Sequence, residues 1–238
     1  MSLIPRCGRF PLSADVCIRQ VRLLLLPLLL LASACDHRPA ANTPEYRQAH
    51  GLVEGRDNRI VVGATRFRIP AALPVEVYTG GPIQPGRADT LTLYLDFPGR
   101  LEQPADLGIL SPSTVRVEIK DIPGGEEQLT PLSRQDARWQ RVFDRPDLGL
   151  TEFHDLQFDG GWGYISYQSL APDARTPLGA PIQLACSGFP VGTVHQCRGE
   201  FRMPAGPYVW YFISVDLLPH WRDVQRGIVE TTEQLTKD

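Results

Sequence analysis

No hydrophobic run in this chain of 238 residues is long enough to cross a bilayer as a helix. The longest, Leu23 to Ala34, is broken by Pro27 and covers roughly 12 residues, where a spanning helix needs about 20. Basic residues are not in excess: 24 Lys and Arg stand against 27 Asp and Glu, so the chain lacks the basic patch that nucleic acid demands. The short motifs that betray many envelope enzymes are also missing: no Gly-x-Ser-x-Gly elbow, no His-Glu-x-x-His, no Ser-x-x-Lys, no phosphate loop and no Cys-x-x-Cys. The five histidines, His37, His50, His154, His195 and His220, are scattered. These absences give no catalytic residue, cofactor site or metal site to name, and they favour a non-enzymatic binding function.

What stands at the amino terminus explains the short hydrophobic run. Arg6, Arg9, Arg19 and Arg22 precede it against Asp15 alone, and Ala32, Ser33 and Ala34 close it. That is the order of a secretory signal peptide. An ordinary cleavage site has no use for the cysteine that follows. Leu31-Ala32-Ser33-Ala34-Cys35 resembles the lipobox of bacterial lipoproteins, departing from it in that Ala32 stands where the family prefers leucine. The resemblance implies a leader over residues 1–34 and a mature chain that begins with a diacylglycerol-modified, acylated (palmitate-type) Cys35. Two or three acyl chains, at about 0.8 kcal/mol per buried CH₂, would anchor the protein without its spanning the membrane. Asp36 resembles the signal that keeps some lipoproteins in the inner membrane, with the domain facing the periplasm. The segment before the hydrophobic run is long, which leaves room for a start codon later than Met1.

Removing residues 1–34 takes away 4 of the 24 basic residues and 1 of the 27 acidic ones, leaving 20 against 26. Cys7 and Cys17 leave with it, and Cys35 carries lipid. Cys186 and Cys197 remain, and in an oxidising compartment two such cysteines most simply form one disulfide across a hairpin. A metal site from Cys186, His195 and Cys197 is the competing reading, and it lacks a fourth ligand nearby.

The 22 prolines and 21 glycines fit a chain of short strands and turns. Residues 35–58 are polar, contain proline and show no periodicity, which reads as the lipidated cysteine and a flexible tether. Residues 59–238 then read as a single mainly β (α+β) domain, an antiparallel sheet or β-sandwich of short hairpins. "RIVVGATRFRIP" gives a hairpin turning at Gly63-Ala64. "DTLTLYLDFP" and "STVRVEIKDI" alternate apolar and polar residues, the mark of sheets wet on one face. Ser133 to Asp136 resembles a capping box, so a short helix is expected from there to just before Pro146. Phe153, Leu156 and Phe158 lead to a turn at Gly160-Gly161, and "WGYISYQSLA" returns. Further strands are expected at Ile182 to Cys186, Gln196 to Met203 and Tyr208 to Val215. Trp221, Val224, Ile228 and Leu235 fall at helical spacing, giving an amphipathic C-terminal helix; Gly227 within it costs about 1 kcal/mol relative to Ala.

Two clusters are candidates for function. His154-Asp155 with Asp159 could supply a general base, but adjacent strand residues point to opposite faces and Asp-Gly-Gly is ordinary turn chemistry. Trp162, Tyr164 and Tyr167 could present rigid aromatic area to a partner, since Trp and Tyr are favoured at interface hot spots. The leading expectation is therefore a lipid-anchored protein whose domain binds another protein. "GATRFRIPAAL" followed by "LTLYLDFPGRLEQP" is similar to uncharacterised lipoproteins near interbacterial toxin systems. That likeness implies an immunity protein that occludes a toxin, with acidic side chains speeding encounter with a basic partner. A structural lipoprotein of an envelope or secretion assembly and a cell-envelope hydrolase with an unrecognised site are the competing readings.

Overall fold

A computed structural model of the chain describes residues 38–237 apart from 42, 102–104, 106–110, 123–129, 156–162, 189–194 and 205. The hairpin expected at the start of the domain forms as β1 (Asn58–Val62) and β2 (Thr65–Ile69), with Val62 opposite Thr65 across the Gly63-Ala64 turn. Gly63 adopts φ +59°, and a Cβ there would lie 2.6 Å from the Asp121 carboxyl carbon. A side chain would thus be excluded twice, by conformation and by contact.

β4 (Arg87–Ala88) joins β1 in parallel to complete a small three-stranded sheet, order β2-β1-β4. The remaining strands build a nine-stranded antiparallel sheet, order β3-β5-β6-β12-β11-β10-β9-β8-β7. They are β3 (Val75–Tyr78), β5 (Thr90–Asp96), β6 (Thr114–Lys120), β7 (Trp139–Arg145) and β8 (Leu150–Asp155). β9 (Gly163–Ser169), β10 (Gln183–Gly188), β11 (Gln196–Arg202) and β12 (Tyr208–Ser214) complete it. Its registers place Leu91, Ile119, Val209 and Phe201 abreast, and beside them Leu93, Val117, Tyr211, Gly199 and Leu184. All are buried hydrophobic residues except the glycine, so this row pattern is the core face.

The C-terminal helix (Trp221–Thr236) forms as expected and buries Trp221, Val224, Ile228 and Leu235. A Cβ on Gly99 would meet both Ile228 of this helix, at 3.2 Å, and Val115 of the core face, at 3.4 Å. Gly227 has a reason invisible in the sequence: a Cβ there would sit 2.4 Å from the Pro98 carbonyl oxygen. The helix lies that close to the β5–β6 connection, and Thr231 adds a hydrogen bond to the Gly99 carbonyl at 2.9 Å. Among the described residues no helix is long and apolar enough to cross a membrane.

Two segments differ from the sequence reading. The expected helix from Ser133 is a pair of turns followed by β7. Ser133 accepts from the Gln135 amide and Asp136 from the Arg138 amide, two residues on in each case; such local bonds divert the backbone from a helix. The second difference falls within residues 35–58, where α1 (Pro44–His50) forms. Thr43 caps it by accepting from the Tyr46 amide, Pro44 occupies its first turn, and Gly51 closes it at φ +70°. Tyr46 is buried and donates to the Val77 carbonyl at 2.6 Å. The C-terminal helix is accordingly α2.

Candidate protein-binding face

The face of the nine-stranded sheet opposite α2 carries the residues that alternate with the core. Three rows cross its centre. Tyr94, Arg116, Phe212 and Arg198 stand abreast in one. Glu76, Thr92, Glu118, Trp210 and Glu200 stand in the next, and Tyr78, Thr90, Lys120, Tyr208 and Arg202 in the third. A row of carboxylates thus runs between two rows of cations, with the aromatic rings of β12 down the middle.

The charged side chains lie on the rings. Lys120 Nζ is 3.7 Å from the Trp210 ring centre and the Arg198 guanidinium is 4.8 Å from it, while Arg116 covers Phe212 at 4.1 Å. The three cations on the rings also meet carboxylates: Lys120 to Glu118 at 2.7 Å, Arg116 to Glu118 at 3.5 Å, Arg198 to Glu200 at 3.9 Å. Such stacking is worth about 0.5–1 kcal/mol at exposed sites and more once water is removed. Tyr94 donates to Glu76 at 3.2 Å, and burial first, then the Glu76 charge, raises its phenol above the ordinary value. The Trp210 indole nitrogen is buried and has no hydrogen-bond partner among the described residues. The arrangement is a rigid, half-buried aromatic and guanidinium surface on central strands, the composition found in interface hot spots.

The residues singled out from sequence fall elsewhere. Cys35, Trp162 and Asp159 lie outside the described residues, and of Tyr164 only the backbone is described, in β9. Tyr167 is 5% exposed and belongs to the core face, beside Glu152 on β8. Its phenol is raised by burial and then by the Glu152 charge. Cys186 and Cys197 face each other across β10 and β11 and are joined by a disulfide, which removes both sulfurs from the competing metal reading.

His154 does enter a cluster, though not with Asp155, which alternation sends to the other face. Its Nε2 lies 2.6 Å from Glu152 Oε1, and Arg145 donates to Glu152 Oε2 at 3.0 Å. Glu152 is 4% exposed. Arg145 also holds Asp147, which is the main reason its guanidinium lies above the ordinary value and the Asp147 carboxyl below. With both oxygens engaged by donors, Glu152 has the role of an anchored buried charge. Among the described residues, neither the cleft around Tyr46 and Leu73 nor the cleft beside α2 is lined by His154 or Asp155.

Sequence reading missed the aromatic face and Glu152. The signal for Glu152 was its spacing of two from His154; for the face, it was three charged strand residues on β6 and three on β11 at period two.

No family model matches the chain, and no curated protein matches it. Among solved structures, Smlt3025, an immunity protein of the type IV secretion system of Stenotrophomonas maltophilia, is similar over 77% of this chain and 94% of its own. The identity is 14% and the TM-score 0.49, a likeness that by itself assigns this chain no function.

Proposed function

We propose that this chain is a lipid-anchored protein of the bacterial cell envelope whose β-rich domain binds another protein, acting as an immunity protein that covers a toxin's working surface. The observation that carries the binding reading is the aromatic face of β6, β12 and β11, with Trp210 between Lys120 and Arg198. Its four cations, Arg116, Lys120, Arg198 and Arg202, nearly balance its three carboxylates, Glu76, Glu118 and Glu200, so a partner gains from desolvating stacked rings more than from net charge. Occlusion requires only this rigid surface and no reaction. Cys35, as the acylated first residue of the mature chain, would hold the domain on the periplasmic side where an incoming toxin acts.

The test is a contact competition between the native strain and a derivative lacking this gene. The derivative should be killed by its parent, and the full-length gene should restore survival. The Trp210→Glu variant should fold, reach the envelope and fail to protect. Equal survival of the derivative would refute the immunity reading. Cys35→Ser should move the protein from the membrane to the soluble fraction, and its retention in membranes would refute the anchor.

A further inference from the structure

The outer face of the three-stranded sheet gathers cations that the fold itself does not use. Alternation turns Ile60, Val62, Phe67, Ile69 and Ala88 inward, where they are buried, and Arg59, Arg66, Arg68 and Arg87 outward, where all four are exposed. The pairing sets Arg66 and Arg87 on either side of Val61, and Arg59 directly opposite Arg68. Like charges opposite one another in a sheet destabilise it, and the molecule gives little relief. Asp57 meets Arg68 at 2.7 Å, while Arg59, Arg66 and Arg87 make no ion pair among the described residues. The other nearby carboxylates, Asp121 and Asp89, stand together at the turn end: Asp121 lies beside Gly63, and its amide donates to the Asp89 carbonyl at 3.1 Å. The unpaired arginines are thus collected on one face of a chain whose residues 35–238 hold 20 basic against 26 acidic side chains.

The same sheet is fastened to the segment that leads to Cys35. The Gly86 amide donates to the carbonyl of His50, the last residue of α1, at 2.9 Å, and the Gly86 carbonyl accepts from the Val61 amide at 2.8 Å. Eight residues, 36–43, separate Cys35 from Pro44, the first residue of α1. Fully extended at 3.3–3.6 Å each, they reach no further than about 29 Å. With lipid on Cys35, α1 and the sheet bonded to it stay close to the bilayer. Headgroup phosphates accept the hydrogen bonds that guanidinium groups donate. Val61 is the apolar residue among these arginines, so the face lacks the aromatic anchors of a protein interface.

We propose that the face formed by Arg59, Arg66, Arg68 and Arg87 lies against anionic phospholipid headgroups and orients the anchored domain on its membrane. The proposal takes the Cys35 anchor from the reading above and is independent of the toxin. Each cation near such a surface strengthens binding about fivefold. Four of them remain well below a single acyl chain, whose own binding of about 10⁴ M⁻¹ is marginal. The face therefore orients the protein without replacing its lipid, and Cys35→Ser still leaves the membrane fraction.

The test sediments the mature chain carrying Cys35→Ser with an excess of vesicles at about 0.1 M salt, where charges act over about 10 Å. Vesicles of phosphatidylglycerol and phosphatidylcholine in equal parts should carry the protein down, and pure phosphatidylcholine should not. About 1 M salt, which shortens that range to about 3 Å, should release it. Replacing Arg59, Arg66 and Arg87 together by Gln should lower the partition about a hundredfold, three factors of five. Replacing them by Lys should preserve it. The Gln variant relieves repulsion at exposed positions and should melt at or above the parent temperature, so that lost binding is not lost folding. Removing equal charge from exposed arginines elsewhere, Arg138, Arg175 and Arg226, should leave the partition within about twofold, less than one cation's factor. Equal sedimentation with both kinds of vesicle, an unchanged partition of the Gln variant, or an equal loss in the control would overturn the proposal. So would displacement by inorganic phosphate beyond that by chloride of the same ionic strength, which would mark a site for a single anion. The chain tested carries no lipid, so these outcomes judge the face alone; the anchor is judged separately, by fractionation of cells expressing Cys35→Ser.

Discussion

Gly199 sits on β11 directly opposite Tyr211 of β12, on the core face. A Cβ at this position would lie 2.0 Å from Tyr211 Cζ and 2.2 Å from its hydroxyl oxygen. The ring cannot swing aside, because it is fully buried and packs near Phe201, with centroids 6.3 Å apart. Gly199→Ala must therefore push two hydrogen-bonded strands apart or force the tyrosine off its rotamer. Overpacking of this kind costs about 1–3 kcal/mol, and a contact this close belongs at the upper end. For a domain of this size about 3 kcal/mol corresponds to a melting temperature lower by about 6–12 °C. The assay is urea unfolding of the mature chain with its disulfide intact, followed by circular dichroism.

The cause can be isolated by a double-mutant cycle. In a Tyr211→Ala background the methyl group has space, so Gly199→Ala should instead gain about 0.5–1 kcal/mol from replacing glycine in a strand. In a Tyr211→Phe background the ring carbon remains at the same place and the cost should persist. A Gly199→Ala chain within about 0.5 kcal/mol of the parent, the threshold for additivity, would refute the reasoning. So would a full cost that survives Tyr211→Ala.

Glu152→Gln should destabilise by about 3 kcal/mol, the lower end for breaking a buried ion pair, since Arg145 keeps Asp147 and reaches solvent; an unchanged urea midpoint would contradict the anchoring role. Asp57 is held below the ordinary carboxylate range, first by its hydrogen bond from Arg68 and then by the Ala71 amide. Its folded-state pKa is depressed, so its stabilisation is complete above the unfolded pKa and fades as pH falls through the folded one. Asp57→Asn should accordingly be less stable than the parent at neutral pH and indistinguishable from it in strong acid, and a gap that stays constant between those limits would exclude the assignment.

Alternation made the sheet legible wherever one face is apolar and the other charged. Leu91, Leu93 and Leu95 on β5 and Val115, Val117 and Ile119 on β6 declare their faces, as do the spaced apolar residues of α2. β12 does not, because Tyr208, Trp210 and Phe212 are as apolar as Val209, Tyr211 and Ile213. Only pairing with Arg116, Glu118 and Lys120 on one side and Arg198, Glu200 and Arg202 on the other decides which set faces out. That decision needs the strand order, which sequence does not contain. Ser133 misled for a local reason, its hydroxyl serving a turn and not a helix. Pro44 to His50 misled for a distant one: a short polar segment becomes an ordered helix because Tyr46 finds β3, 31 residues away.

The same pairing explains why an aromatic face can be rigid on a strand that shows no preference of its own. A slip of β12 by one residue would turn Trp210 inward and Tyr211 outward, and the hydrophobic cost of that exchange is small because both rows are aromatic or aliphatic. Gly199 makes the register unequal. It provides the one gap on β11 into which the Tyr211 ring fits, and any other register would set that ring against a side chain. The disulfide between Cys186 and Cys197 ties β10 to β11 two residues from that gap. The aromatic face is therefore fixed from behind, by a glycine and a covalent bond on the core side.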